Sequence, residues 1–264
     1  AHRYAKYADL SVGSVYGGIV TGWAAEGEAF AESDASFGRL VLRAAKCYGY
    51  CEVPNELFAD SGISFEALIG QLMPEALAFS EDDAFINGTG AGQPQGVLKS
   101  PALVVVAKEN LQPKTTIMWQ NLIKMYARML PGSLNRAVWV VSPDTFPELA
   151  TMALAVGLGG SAVWINNGVA GPPAAILGRP VIISEKVPVL GDQSDVSFID
   201  FGMYLVGDRQ AMTQESSPHY KFNQGVTAFR VIERVDGRAW LGSAISPKNG
   251  GAALSPFVTL AERV

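Results

Sequence analysis

The sequence predicts an α+β protein, and three features of its pattern indicate this class. A long helix with one apolar face is predicted in the first third of the chain. Short helices and buried strands alternate in the middle, and long strands come near the end. Helices and strands mixed in this way are typical of a unit with one central sheet.

The long helix is predicted from Phe65 to Phe85, where apolar residues recur at helical spacing. Ser64 is placed to cap its N-terminus. Pro74 lies inside the helix and predicts a kink, because proline lacks a backbone donor and crowds the preceding turn. Asn87-Gly88 predicts the end of the helix at a residue with left-handed backbone.

The middle of the chain is predicted to contain a second helix and several buried strands. The helix falls within residues 115–130, and Ser142 is placed to cap a third helix. The strands fall within residues 137–142, 179–184, 196–201 and 203–208.

The C-terminal part is predicted to be mostly strand. Two long strands are expected between His219 and Ile245, joined at Asp236-Gly237, because an Asp-Gly pair favours a two-residue hairpin turn. One more strand is expected within residues 257–264.

A two-stranded arm is predicted near the start of the chain. Residues 11–23 are rich in glycine and β-branched side chains, and residues 39–50 alternate with the period of a strand. Residues 24–38, between them, are small and acidic. Because an isolated ribbon cannot bury a core of its own, the arm implies a partner surface that covers it.

Cys47 and Cys51 are the only cysteines of the chain. On a strand they would share a face but lie ~13 Å apart at ~3.3 Å per residue, which is too far for a disulfide. We therefore expect two free thiols, buried or half-buried, in a reducing compartment.

Composition narrows the function classes. The 264 residues carry a formal charge of −5, and the 20 basic residues are scattered, which argues against a surface that grips nucleic acid. No apolar run approaches the ~20 residues that span a bilayer, and no signal peptide opens the chain. We expect a soluble protein of cytoplasmic origin, with neither metal nor cofactor.

The glycine-rich run "INGTGAGQPQGVL", residues 86–98, suggests a phosphate-binding loop at first sight. However, it follows the C-terminus of a helix, where exposed carbonyls repel phosphate, and it lacks a Gly-Lys-Ser/Thr ending. We interpret it as a helix end followed by a tight surface loop.

No catalytic constellation is predicted. Glu81-Asp82-Asp83 are interpreted as a solvated helix face, and Asp208-Arg209 as a turn or surface ion pair. His219 has no nucleophile elbow and is interpreted as structural. The tryptophans at 119, 139 and 164 have apolar neighbours and predict core packing.

The run "AFINGTGAGQPQGVL", residues 84–98, resembles the segment after the long helix in tailed-bacteriophage major capsid proteins of the Hong Kong-type fold. Further similar segments follow in the family's order, and the resemblance covers roughly residues 15 to 247. They are residues 22–61, with "EGEAFAESDASFG", and residues 139–154, 176–188, 198–212 and 229–245.

The resemblance implies a shell subunit with three parts. These are an extended loop at residues 11–50, a peripheral domain of residues 1–10, 51–112 and 213–264 with a spine helix at about 65–86, and an axial domain at residues 113–212. We expect a structural protein of the virion, assembled in the host cytoplasm as pentamers and hexamers of an icosahedral head around double-stranded DNA. Portal, scaffold, protease and decoration proteins are expected partners, and no membrane.

Two other functions are compatible with the residues. An encapsulin-type compartment shell shares the fold but encloses enzymes, and fold alone does not separate the two. A small-molecule enzyme is the third hypothesis, although no nucleophile, base or metal set is predicted for it.

The resemblance also implies contact residues. We expect the assembly interface to include Trp23, Glu26, Phe37, Arg39, Thr89, Gly90, Gly92, Gln93 and Gln95. Some relatives join subunits by a Lys–Asn isopeptide bond that a Glu promotes. The corresponding positions here are Arg39, Gly225 and Ile232, with Glu233 on the opposite side of a strand. Since a guanidinium is a poor nucleophile, we predict no covalent crosslink.

Overall fold

A computed structural model of the protein describes residues 2–4, 22–26, 29, 39–60, 65–154, 161–162, 175–247 and 249–263. The chain forms two compact units. The first contains Leu42–Gly96 and Val206–Arg238, and the second contains His2–Val41, Val97–Leu205 and Ala239–Val264. Within the described ranges, no helix is both long enough and apolar enough to cross a membrane.

The described elements mix helices and strands, as predicted for an α+β protein. The helices are α1 (Asn55–Asp60), α2 (Phe65–Asn87), α3 (Trp119–Arg128) and α4 (Phe146–Thr151). The strands are β1 (His2–Tyr4), β2 (Arg39–Val41), β3 (Ala45–Pro54), β4 (Val104–Val106), β5 (Val138–Val141), β6 (Ala153–Leu154), β7 (Ser161–Ala162), β8 (Ala175–Ile176), β9 (Arg179–Ile183), β10 (Val196–Ile199), β11 (Tyr204–Lys221), β12 (Val226–Ala239) and β13 (Phe257–Leu260).

The first unit is a three-stranded sheet with α2 packed on one face. The strand order is β11-β12-β3, and β12 pairs antiparallel with the whole length of β3, from Val226 opposite Pro54 to Val235 opposite Ala45. The core is apolar and lies between the helix and the sheet. It consists of Ile69, Met73 and Leu77 from α2 and Val53, Phe229 and Val231 from the sheet.

The long helix is confirmed, but it buries a narrower stripe than the spacing predicts. Ile69, Met73 and Leu77 are buried, whereas Leu68 and Leu72, expected on the same face, are 39% and 51% exposed. One helix packed on one sheet buries only the residues along its contact line, which here are three residues spaced four apart. The helix runs through Pro74 to Asn87, while Ser64 lies outside the described residues.

The predicted hairpin turn at Asp236-Gly237 is wrong. The turn between β11 and β12 is formed by residues 222–225, and Gly225 takes a left-handed φ of 61° there. Asp236 lies inside β12 and is buried, and its carboxylate accepts hydrogen bonds from the backbone N–H of Arg43 and of Gly237. The Asp-Gly pair thus ties together neighbouring segments and does not reverse the chain.

The predicted second strand of the arm, residues 39–50, is divided between two sheets. Arg39–Val41 pairs antiparallel with His2–Tyr4, while Ala45–Pro54 joins β12. The first predicted strand lies mostly outside the described residues. The pairing of β1 with β2 brings residues 4 and 39 together, so the chain between them leaves and returns at one place.

The second unit is built on a six-stranded mixed sheet with the order β4-β13-β10-β5-β9-β8. β4 and β13 are parallel, as are β5 and β9, and the other pairs are antiparallel. Trp139 and Phe198 are fully buried and stack with ring centroids 4.2 Å apart. The strands predicted within residues 137–142, 179–184, 196–201 and 257–264 are confirmed, as is core packing of Trp139. Trp119 is partly buried against the same core, and Trp164 lies outside the described residues.

The helices of the second unit differ from prediction in their ends. α3 begins only at Trp119, because the buried side chain of Asn121 accepts a hydrogen bond from the backbone N–H of Met118 at 2.9 Å. Ser142 makes no side-chain capping bond. Its carbonyl instead accepts from the Thr145 hydroxyl at 2.6 Å, inside the turn that leads into α4.

Candidate assembly surfaces

The loop after α2 requires glycine at Gly88 for close backbone packing. Gly88 does not have the left-handed conformation that the sequence predicts, since its φ is not positive. A Cβ added there would lie 2.4 Å from the carbonyl oxygen of Ala84 and 2.2 Å from that of Pro94. Gly96 is equally confined, with an added Cβ 2.4 Å from the carbonyl oxygen of Ile86.

Between these two glycines the loop folds back on itself. The Gly90 N–H donates to the carbonyl of Pro94 at 3.2 Å, and the Gly96 N–H donates to the carbonyl of Gly88 at 2.8 Å. Gly90 and Gly92 have left-handed φ angles of 80° and 73°, which only glycine adopts without strain. The Gln95 N–H donates to the carbonyl of Gly237, which fixes the loop to the sheet of the same unit.

Five of the predicted contact residues therefore lie together in one compact loop. The Thr89 hydroxyl oxygen accepts a hydrogen bond from the Gln93 side chain at 3.1 Å, so part of its hydrogen-bonding capacity is used inside the loop. Thr89, Gly92 and Gln93 are exposed, whereas Gly90 and Gln95 are half-buried. The loop presents a small polar tip that internal hydrogen bonds hold together.

The other predicted contact residues belong to the second unit or lie outside the residues that the structure describes. Trp23 is fully exposed, and Glu26 is also exposed. Arg39 lies in β2, and Phe37 lies outside the described residues.

Among the described residues, nothing covers the face of the first unit's sheet that points away from α2. Tyr48 and Tyr50 of β3 lie on this face, opposite Ile232 and Arg230 of β12, and they are 69% and 49% exposed. We call this surface the open sheet face; Arg234 also belongs to it, through the alternation of side chains along β12. These residues are not among the predicted contact residues, although the alternation in "CYGYC" places both tyrosines on one side of the strand.

Charged side chains on the open sheet face form a short network. Glu52 accepts hydrogen bonds from the Tyr50 hydroxyl and from the Lys221 ammonium, each at 2.6 Å. The bond to Glu52 raises the pKa of Tyr50 to about 12, and the bond from Lys221 lowers the pKa of Glu52. Arg230 donates to Glu215 at 2.5 Å.

The carboxylates of Glu81 and Glu233 lie near each other on the opposite face of the sheet, which packs against α2. Burial raises the pKa of Glu81, and repulsion from Glu233, Asp82 and Asp208 raises it further. Burial and repulsion from Asp208 likewise raise the pKa of Glu233. The interpretation of residues 81–83 as a solvated face is therefore wrong for Glu81, which is half-buried, while Asp82 and Asp83 are exposed.

Both cysteines are free and half-buried, as predicted. Cys47 lies opposite Glu233 in the sheet. Burial, together with the nearby Glu233 and Glu81 carboxylates, raises the pKa of the Cys47 thiol. This thiol is therefore a weak nucleophile at neutral pH.

A groove of about 360 Å³ runs between β3 and α2. We call it the β3 groove. Its lining contains no charged side chain and includes Tyr48, Tyr50, Cys51, Leu72, Ala76 and Ser80. The sequence does not predict this groove, because helical spacing places Leu72 on the covered face of α2.

The positions that correspond to the crosslinking residues are also described. Gly225 closes the turn between β11 and β12. Ile232 is half-buried opposite Tyr48, and Glu233 lies opposite Cys47, on the other side of the strand.

Comparison with known proteins identifies the family. The model of the phage capsid family matches residues 7–248. The chain belongs to the phage capsid family. No curated protein sequence matches the chain.

Solved structures of this capsid protein's neighbours have the same fold at low sequence identity. The capsid of a native GTA particle superposes with a TM-score of 0.75 at 20% identity, covering 93% of this chain and 82% of that one. The capsid of an empty GTA particle gives 0.73 at 20% identity, covering 93% and 81%. A chain of Gordonia phage Cozz gives 0.62 at 16% identity, covering 92% and 78%.

Family and fold together define the general role of the protein. It is a structural capsid protein of a virion and not an enzyme. Its role requires association with other copies in a shell.

Proposed function

We propose that this capsid protein forms the pentamers and hexamers of an icosahedral phage head that encloses double-stranded DNA. The observation that carries the proposal is the apolar and aromatic surface that the described residues leave exposed on the first unit. Tyr48, Leu72 and Tyr50 are 69%, 51% and 49% exposed, and all three line the β3 groove. Contiguous exposed apolar surface in a soluble protein favours a binding role.

The arm is the proposed partner of this surface. Residues 24–38 carry four carboxylates and no basic side chain. The open sheet face carries Arg234 beside the ion pairs Arg230–Glu215 and Lys221–Glu52. Opposite charges of this kind steer and orient association. We retain the extended loop at residues 11–50, the peripheral domain and the axial domain at residues 113–212 as the proposed assembly domains.

The glycine loop is proposed to form hydrogen bonds with a neighbouring subunit through the part of Thr89–Gln95 that stays exposed. Substitution of Gly90 and Gly92 by valine should impair assembly but leave a soluble subunit, since both positions require a left-handed backbone. Gly132, which has open space around it and no positive φ, is a control for the loss of a glycine elsewhere. Normal shells from the double variant would show that the loop is only a connector.

The charge of the chain supports enclosure of DNA without tight binding. A net charge of −5 leaves the wall without the clustered cations that grip phosphates. We propose assembly in the host cytoplasm, with portal, scaffold, protease or decoration proteins as further partners.

Electron microscopy of the expressed protein tests the proposal. Icosahedral particles that protect nucleic acid from nuclease are expected. Particles filled with an enzyme would instead indicate a compartment shell. A monodisperse monomer or dimer at high concentration, without particles, would contradict both shell functions.

A further inference from the structure

The chain contains three Asn-Gly pairs, at residues 87–88, 167–168 and 249–250. Asparagine is thermolabile in such a pair, because the backbone nitrogen of a glycine can attack the side-chain carbon with no Cβ to crowd the approach. A C–N bond forms, ammonia leaves, and the product is a cyclic succinimide. Water then opens the ring to aspartate or isoaspartate, so water is the only co-reactant. Residues 167–168 lie outside the described residues.

The fold holds both reacting groups of the pair Asn87-Gly88. Asn87 is the last residue of α2, and its side-chain NH2 group donates to the Asp83 carboxylate at 2.7 Å. The Gly88 N–H donates to the carbonyl of Ala84 at 2.9 Å, and the Gly88 carbonyl accepts from the Gly96 N–H at 2.8 Å. The attack would therefore break the hydrogen bonds of both reacting groups, inside a loop that is packed backbone against backbone.

The pair Asn249-Gly250 lies in an open turn, and both residues are exposed. The Gly250 N–H donates to the carbonyl of Pro247 at 3.1 Å across this turn. Gly250 and Gly251 have left-handed φ angles of 80° and 116°, and a Cβ added at either would meet no atom within 4 Å. Opening this exposed hydrogen bond frees the nitrogen of Gly250, and the wide conformational range of glycine lets the peptide rotate.

The turn around Asn249 is closed at its base, in the second unit. Ile245 and Leu254 exchange two backbone hydrogen bonds, each 2.8 Å long, and Ser255 beside them is fully buried. A change at Asn249 therefore alters an exposed turn and removes no hydrogen bond of this base. The new carboxylate would be ionised at neutral pH, because the ordinary pKa of aspartate is ~3.9.

We propose that Asn249 is a site of spontaneous deamidation, at which each event adds one negative charge to the exposed turn, and that the fold protects Asn87 from the same reaction. The residue pair is the same at both places, so sequence does not separate them. Exposure, hydrogen bonding and the space around the glycine do. The reaction belongs to the single folded chain and does not depend on the proposed shell function.

Peptide mass spectrometry of the ageing protein tests the proposal. The purified chain is incubated at mildly alkaline pH in water labelled with heavy oxygen, once folded and once in concentrated urea. Uptake of the label marks a succinimide that opened during the incubation. In the folded protein Asn249 should convert at least ~10-fold faster than Asn87, because more hydrogen bonds must open at Asn87. In urea this difference should largely disappear, since neither pair is then held by the fold.

Two results would overturn the proposal. Equal rates at the two sites in the folded protein would remove the protection of Asn87, and a lack of conversion at Asn249 would remove the site itself. Asn249→Gln should abolish the fast label uptake, because the longer side chain has to close a larger ring. Asn223→Gln is the control, since Asn223 is also exposed but precedes Gln224, and it should leave the rate at Asn249 unchanged.

Asn249→Asp carries the charge of the product and tests whether the turn is independent of the core. It should unfold at the same temperature as the parent, because the base at Ile245 and Leu254 keeps its hydrogen bonds. A clearly lower unfolding temperature would contradict the inference that the reaction is confined to the turn.

Discussion

The guanidinium of Arg263 is fully buried against the carboxylate of Asp195 in the second unit. The same carboxylate accepts from the backbone N–H of Gly191 at 3.0 Å and of Val196 at 2.9 Å. Arg263 also donates to the carbonyl of Lys114 at 3.4 Å. This pair anchors the C-terminal residues next to the six-stranded sheet.

Arg263→Met should therefore destabilise the second unit strongly. Removal of one partner leaves the Asp195 carboxylate buried without its counter-charge, which costs ~3–5 kcal/mol. Urea unfolding followed by circular dichroism measures the loss. Arg230→Met is the control, since Arg230 and Glu215 are both more than half exposed and such pairs contribute ~1 kcal/mol or less. Similar losses from the two variants would contradict the role given to the buried pair.

The glycine loop should tolerate alanine at one position and not at another. Gly96→Ala places a methyl group 2.4 Å from the Ile86 carbonyl oxygen and should cost ~1–3 kcal/mol or more through overpacking. Gly92→Ala meets no atom within 4 Å and should cost only the ~1–2 kcal/mol of a left-handed alanine. Thermal unfolding of both variants should rank Gly96→Ala as the less stable, and the reverse order would show that the loop relaxes.

Stability of the first unit should rise as the pH falls toward the ordinary glutamate pKa. Burial raises the pKa of Glu81 and Glu233 in the folded protein, so the folded state binds these protons more tightly than the unfolded chain. The two ionised carboxylates destabilise the folded state above their raised pKa. This destabilisation disappears as the pH falls through the raised pKa toward 4.5, the ordinary value. Glu81→Gln should therefore stabilise the protein at pH 7, by ~1 kcal/mol or less after solvent screening.

This benefit should vanish below pH 4.5, where the parent is also neutral at Glu81. Unfolding measured across the pH range checks the slope. Glu66→Gln is the control: Glu66 lies in the first turn of α2, where a negative charge favours the helix dipole, so its neutralisation should not stabilise. A benefit of Glu81→Gln that is constant with pH would contradict the proposed repulsion.

Assembled shells should separate into single chains when boiled in detergent. The guanidinium of Arg39 does not attack a side-chain amide, and Gly225 and Ile232 offer neither an amide nor a carboxylate. Arg39→Lys alone should add no crosslink either, because Gly225 and Ile232 still offer neither an amide nor a carboxylate. Covalent ladders from the parent on a reducing gel would refute the prediction.

The fold class and most single elements could be predicted, because periodicity reports which residues face the core. The strand at Val138–Val141 and the helix at Phe65–Asn87 are examples. Local sequence wrongly predicts a turn at Asp236-Gly237, which lies inside β12. Its carboxylate is held by the Arg43 N–H, from a segment 193 residues away in sequence.

The surfaces were less predictable than the fold. The close approach at Gly88 and Gly96 is a contact between backbone segments, and no pattern of residue types predicts such a contact. Leu72 satisfies helical spacing, yet it is 51% exposed in the part of the chain that the structure describes. The buried pair of Asp195 and Arg263 joins positions 68 residues apart, and local composition gives no signal for it.

The long pairing of β3 with β12 has a mechanical consequence. Their ladder runs the full 10 residues of β3, with hydrogen bonds perpendicular to the strands. A pull along the strand direction would load all of these bonds at once, whereas a pull at one end would open them one by one. A capsid wall under internal pressure would resist tearing best if its tension ran parallel to the strands β3 and β12.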